Sequence, residues 1–195
     1  MIGGAGHRTL AQRVAAGVLR LFGWSTVFLP PPGPKAVVIF YPHTSNWDFV
    51  LGMLCRAATG FPVRWAGKHT LFRQPFGALL RHLGGFPVDR RMRTGLVAQL
   101  CEEFDRSQQL YLAITPEGTR SRTDCWKSYH LARQAGVPLG LAFIDHRRRE
   151  IGIGAYVELS GNANDDLLLL RNYYAEKRGK HPAKHGKIRF KSSLQ

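Results

Sequence analysis

The stretch Lys35-Ala36-Val37-Val38-Ile39-Phe40-Tyr41-Pro42-His43-Thr44-Ser45-Asn46-Trp47-Asp48 decides how the chain is read. Its first six residues are a short, β-branched apolar run without polar alternation, the pattern of a strand buried on both faces of a parallel sheet. Residues 49–58 carry apolar side chains on most faces and meet no breaker before Gly60, which predicts a helix. His43 therefore sits on the turn leaving the carboxyl end of a strand, where open α/β sheets place their ligands. Asp48 follows at the start of the helix. Ser45-x-x-Asp48 also has the form of a capping box, in which the carboxylate answers backbone N–H groups. A carboxylate held that way can in addition accept a hydrogen bond from His43, set its tautomer and raise its basicity. The H-x-x-x-x-D spacing is a weak signal by itself.

Outward from this stretch, strand and helix alternate. Residues 61–66 predict a strand, 71–83 a helix with Pro75 in its first turn, and 84–91 a short strand that emerges into a basic loop. A helix is expected over 95–105, a strand over 109–115, a helix over 126–135 stopped by Gly136, and a strand over 137–144. Residues 145–150 link that strand to another at 151–159, so a hairpin is expected at this edge, and a last helix covers 165–177. The order implies a single α/β domain with a mostly parallel central sheet flanked by helices.

An amphipathic helical arm precedes it. Leu10, Val14, Gly17, Val18, Leu21 and Phe22 share one face, with Gln12, Arg13 and Arg20 away from it, and Trp24 and Phe28 follow as amphipathic anchors. That face suits a lipid interface or packing on the core. It is too interrupted by charge for a spanning helix, which wants about 20 mostly apolar residues. Pro30-Pro31-Pro32-Gly33-Pro34 ends the helical region. The chain divides into an N-terminal helical arm, 1–34, a candidate for a membrane interface, a body, 35–178, and a basic tail, 179–195.

With 195 residues, 44% hydrophobic and 21% charged, the composition is globular. Lys and Arg number 28 against 13 Asp and Glu, a net charge of +15. Such a surface attracts polyanions: nucleic acid, anionic membrane, or phosphorylated small molecules. No nucleic-acid-binding motif accompanies Arg147-Arg148-Arg149, so no nucleic acid partner is expected. Cys55, Cys101 and Cys125 are odd in number and lack C-x-x-C spacing, which predicts neither a disulfide framework nor a zinc site, and a reducing compartment. No secretory signal is read at the start.

Three predicted strand ends carry polar chemistry: His43 and Asp48, then Arg90 and Arg91, then Pro116-Glu117-Gly118-Thr119-Arg120-Ser121-Arg122. A parallel sheet would gather them on one edge. The Gly118 turn exposes backbone N–H groups and Arg120 offers a planar fork, a combination suited to phosphate. Arg90 is a second fork, and Lys68 a further candidate for phosphate contact.

In this order the blocks resemble the glycerolipid acyltransferase family, the PlsC-like 1-acyl-sn-glycerol-3-phosphate and lysophospholipid acyltransferases. His43 to Asp48 matches the H-x-x-x-x-D block, Gly84-Gly85-Phe86-Pro87-Val88-Asp89-Arg90 approximates the second, Pro116 to Ser121 reproduces the third, and Val137-Pro138 matches the fourth. The resemblance covers about residues 35–153. Pro87 stands where the family usually has Phe, no later Pro follows in 140–142, and neither end carries a long hydrophobic span.

The resemblance implies acyl transfer from an acyl-CoA or acyl carrier protein thioester to a lysophospholipid hydroxyl, with His43 as general base and Asp48 orienting it. Arg90, Glu117, Gly118, Thr119 and Arg120, with Lys68, would hold the acceptor's glycerol phosphate. No covalent acyl-enzyme, metal or cofactor is required, and Ser45 lacks the glycines of a nucleophile elbow. The expected acceptor is 1-acylglycerol-3-phosphate. Glycerol 3-phosphate, another lysophospholipid or a lyso-aminolipid are alternatives, and a basic non-catalytic membrane- or nucleic-acid-binding module is the reading outside enzymes. The basic surface would hold the protein at the cytoplasmic face of a membrane, at about 1 kcal/mol per basic residue near an anionic leaflet.

Overall fold

A computed structural model describes residues 8–88, 95–114, 127–184 and 188–189. In chain order the elements are α1 (Leu10–Leu21), β1 (Ser25–Phe28), β2 (Lys35–Phe40), α2 (Trp47–Thr59), β3 (Arg64–Lys68), α3 (Gly77–His82) and β4 (Gly85–Val88). Then come α4 (Gly95–Arg106), β5 (Leu110–Ile114), α5 (Lys127–Ala135), β6 (Leu139–Asp145), β7 (Glu150–Val157) and α6 (Ala163–Tyr174). The seven strands form one sheet in the order β1-β7-β6-β2-β5-β3-β4. Every pairing is parallel except the hairpin of β6 and β7. The fold is the α/β arrangement expected from the sequence.

The central strands are apolar throughout because both faces are covered. All seven residues of β6 are buried, as are the four inner residues of β2. On one face Val37, Ile39, Leu112, Leu139 and Leu141 pack with Leu100 and Phe104 of α4, Leu131 of α5 and Leu170 of α6. The other face sets small strand residues, Ala36, Val38, Ala113 and Ala142, among the larger Phe61, Tyr111 and Ile153. Helix α2 crosses that second face, and the small residues leave space beneath it. This difference between the faces is the origin of the cavity described below.

Two local outcomes differ from the sequence reading. Residues 25–28, expected within the helical arm, form β1, which pairs in parallel with β7 and puts a seventh strand on the sheet's edge. The helix expected over 71–83 is split into a 3₁₀ turn at His69–Phe72 and α3 from Gly77. Pro75 has no N–H to donate and disfavours helical backbone at Gln74, so one continuous helix cannot form through it.

The arm's helix has two apolar surfaces. Ala15, Ala16 and Leu19 are buried with Ala58 and pack against Leu51, Leu54 and Trp24, which docks α1 on α2. Leu10 and Leu21 remain 77% and 81% exposed, and Val14 and Phe22 are also exposed, so the stripe read from the sequence is the face turned away from the core.

Candidate active site

Strands β2, β3, β4, β5 and β6 run in the same direction, so their carboxyl ends share one edge of the sheet. His43 follows β2 there. The chain then turns through Thr44 and Ser45 into α2, and Asp48 in the first helical turn points back at that turn. The backbone N–H groups of Thr44 and Ser45 donate to Asp48 Oδ2 at 2.7 and 2.8 Å. The Trp47 N–H donates to Ser45 Oγ at 3.2 Å. The carboxylate thus serves the helix start, as the capping pattern foretold. It also faces the histidine: His43 Nδ1 lies 3.5 Å from Asp48 Oδ2, with Asp48 fully buried. That separation is at the outer limit of a hydrogen bond, and Nδ1 is shut off from solvent without a shorter partner.

The second carboxylate oxygen has a partner the sequence reading missed. His146 Nε2 lies 2.9 Å from Asp48 Oδ1. A carboxylate only accepts, so this nitrogen carries the proton and donates. His146 follows β6 as His43 follows β2, and these strands are parallel neighbours. Asp145 Oδ1 accepts from the N–H groups of Arg147 and Arg148 at 2.9 and 3.2 Å, which forms the turn that presents His146. The turn residues of 145–150 read only as a hairpin link. A polar residue immediately after a buried strand was the available signal.

Asp48 titrates accordingly. Burial by itself would push its carboxyl up, but hydrogen bonding with His43, with His146 and with the Ser45 and Thr44 N–H groups outweighs it and brings the pKa from 3.8 to about 2. A folded-state value below the unfolded one stabilises the fold above the unfolded pKa, and that stabilisation is lost as pH falls through the folded one. We expect about 2 kcal/mol to disappear between pH 4 and 2. Urea unfolding at pH 5, 3.5 and 2 checks this, with Asp48→Asn expected to flatten the dependence in that window.

Beside this pair lies a cavity of about 410 Å³ between α2 and the small-residue face of the sheet. Val38, Phe40, Phe61, Ala113, Ala142 and Ile153 supply an apolar lining, and His43, Asp48 and Lys68 also border it. Its size and lining are those of a small-molecule site, for which ~300–1,000 Å³ is typical. A family model described as Acyltransferase matches residues 29–156, about two thirds of the chain and the whole of this constellation. The chain belongs to the acyltransferase family. No curated protein matches it. Among solved structures it is similar to the 1-acyl-sn-glycerophosphate (LPA) acyltransferase PlsC from Thermotoga maritima. The TM-score is 0.53 at 18% identity, over 87% of this chain and 80% of that one, a likeness of fold.

Family membership makes the protein an O-acyltransferase, with an acyl donor and a lipid acceptor as substrates. Of the site residues expected from the sequence, His43, Asp48 and Lys68 are brought to the border of this one cavity. Arg90, Glu117, Gly118, Thr119 and Arg120 lie outside the described residues, although β4 and β5, which lead to them, end at Val88 and Ile114 on the same edge. Cys55 borders the cavity too, but burial pushes its thiol up to about 12, so it is no nucleophile at neutral pH. Among the described residues no group of three His, Cys, Asp or Glu side chains is arranged to hold a metal ion.

Proposed function

We propose that this acyltransferase moves a fatty acyl group from a CoA or acyl carrier protein thioester to the free hydroxyl of a lysophospholipid, with 1-acylglycerol-3-phosphate giving phosphatidic acid as the leading case. The observation that carries this is the His43–Asp48 pair bordering an apolar cavity of about 410 Å³. With Nδ1 turned to Asp48, Nε2 of His43 is the nitrogen left for the substrate. It takes the acceptor's hydroxyl proton as that oxygen attacks the thioester carbonyl carbon. The tetrahedral adduct then collapses, the C–S bond breaks, and the departing thiolate takes the proton back from the imidazolium. Asp48, ionised and buried, stabilises the imidazolium in between. No covalent acyl-enzyme, metal or cofactor enters.

The cavity suits the acyl chain, since each buried methylene contributes about 0.8 kcal/mol. Gly52 of α2 borders it, and a side chain there would point towards Phe40, whose ring lies 3.5 Å from an added Cβ. Gly52→Leu is expected to lower turnover of long-chain thioesters about tenfold or more relative to short ones, because the added branch occupies the chain's space. Competition between labelled C8 and C16 donors reads the ratio, and an unchanged preference removes the chain from this cavity.

By the sequence resemblance, Arg90 and Arg120 clamp the acceptor's phosphate, Glu117, Gly118 and Thr119 complete that grip, and Lys68 contributes from the cavity's rim. The exposed Leu10, Val14, Leu21 and Phe22 stripe, with Arg13 and Arg20 on the same helix, supports peripheral docking of the arm on the anionic cytoplasmic face of a membrane. Among the described residues no helix is long and apolar enough to cross one. The double variant Leu21→Glu/Phe22→Glu is expected to cut binding to phosphatidylglycerol vesicles at least tenfold while leaving transfer to micellar acceptor intact. Vesicle co-sedimentation measures it.

The reaction itself is tested by incubating purified protein with labelled acyl-CoA or acyl carrier protein and a panel of lysophospholipids, glycerol 3-phosphate and lyso-aminolipids. Labelled phosphatidic acid formed from 1-acylglycerol-3-phosphate is the expected product. Transfer only to another acceptor would replace the named substrate, and transfer to none would remove the function.

A further inference from the structure

We infer that His146 is a positioning residue of this acyltransferase: it clamps the free oxygen of Asp48 so that the other oxygen stays aimed at His43. The carboxylate is held at three points. Oδ2 takes the Thr44 and Ser45 N–H groups, and Oδ1 takes His146 Nε2–H at 2.9 Å. The two backbone donors come from residues three and four positions before Asp48. His146 ties this carboxylate across the sheet to a residue 98 positions away in sequence. Without it, rotation of the carboxylate is restrained from one side only.

The imidazole of His146 is itself fixed. Its backbone N–H donates to the Arg178 carbonyl at 2.8 Å. Its ring meets Trp24 edge-on, with centroids 5.1 Å apart and planes at 90°. Trp24 in turn packs against the cluster of Cys55, Ile144 and Ile151, in which Cys55 belongs to α2, the helix that bears Asp48. His146 thus sits where the amino-terminal arm, the His43 turn and the segment after α6 meet, and the His181 N–H to Thr44 Oγ1 contact of 3.1 Å closes that segment on the same turn.

A consequence follows for protons. His146 must hold hydrogen on Nε2, whereas His43 must hold it on Nδ1 to leave Nε2 as the base. One carboxylate therefore enforces opposite tautomers on two histidines.

Because this role presupposes the transfer chemistry proposed above, its test has one arm that needs no turnover. In the nitrogen-15 spectrum of imidazole-labelled full-length protein near pH 8, His146 is expected as the Nε2–H tautomer and His43 as Nδ1–H. In His146→Phe, His43 should move to a mixture. An Nδ1–H tautomer at His146, or an unmoved His43 in the variant, overturns the inference whether or not the protein transfers acyl groups.

In the activity arm, His146→Phe keeps a ring beside Trp24 but removes the donor, and His146→Gln restores an N–H at similar reach. For the acceptor that the wild type uses, His146→Phe should lower kcat about 10–100-fold with KM within about twofold. His146→Gln should recover to within about threefold of wild type. Equal loss in both variants, or wild-type kcat in His146→Phe, overturns the role. Absence of transfer by the wild type itself strikes the proposed function instead and leaves the tautomer arm to decide this one. If His146→Phe does not fold, His146→Gln still decides: full kcat with the His43 tautomer retained supports the clamp, and a loss of tenfold or more refutes it.

Discussion

Replacing His43 with alanine is expected to lower kcat for acyl transfer by at least about 10³-fold while the protein unfolds at nearly its wild-type temperature. General-base catalysis by a positioned imidazole contributes typically 10²–10⁴-fold. Neither neighbouring group takes over this part, because the Cys55 thiol is pushed up to about 12 and the Ser45 hydroxyl accepts the Trp47 N–H. The stability side follows from exposure and bonding. The His43 side chain is 18% exposed and its Nδ1 makes no contact shorter than 3.5 Å, so truncation removes little packing and no short hydrogen bond. Asp48 keeps its two backbone donors and His146 in the variant. The expected pattern is therefore a chemical loss without a structural one. Steady-state kinetics beside a calorimetric scan reads both, and near-normal turnover would falsify the assignment of the base.

The opposite combination is expected for Asp48→Ala: loss of activity of about 10³–10⁴-fold together with loss of stability. Alanine leaves Thr44 N–H, Ser45 N–H and His146 Nε2–H without their acceptor in a site where Asp48 is 0% exposed. Each stranded donor costs about 1–3 kcal/mol, less where water can enter, so about 3 kcal/mol in total is a reasonable sum. For a chain of this length that lowers Tm by roughly 6–12 °C. Activity falls because His43 loses the group that sets its tautomer and stabilises its charge, a loss of about 10⁴ where it has been isolated in a Ser-His-Asp site. Asp48→Asn separates the two effects. Its carbonyl can still accept from Thr44 and Ser45, so most of the stability should return. Its neutral amide cannot stabilise an imidazolium, so activity should stay low. Recovery of activity in the Asn variant would show that the charge is dispensable.

Much of this was legible in the chain. The run from Lys35 to Phe40 announced a doubly buried strand because its residues alternate between two apolar faces, and the strand–helix order of the body followed from similar runs between glycines and prolines. His43 and Asp48 were found since both lie within six residues, where a turn alone can bring them together. Less was legible where local pattern and tertiary demand part. Residues 25–28 are too short and too mixed in character to declare a strand, and they form one because β7 offers an edge. The cavity follows in part from Val38, Ala113 and Ala142 lying under α2, a smallness with meaning only once that helix lies over them.

The order of amino acids alone was enough for the α/β class, for the histidine and its carboxylate, and for a basic surface, because these depend on periodicity, short spacing and charge, all of which are local or additive. The pairing of Asp48 with His146 had to await the fold. Residues 98 apart meet only when parallel strands bring two carboxyl ends side by side, and no spacing along the chain encodes which strands will be neighbours.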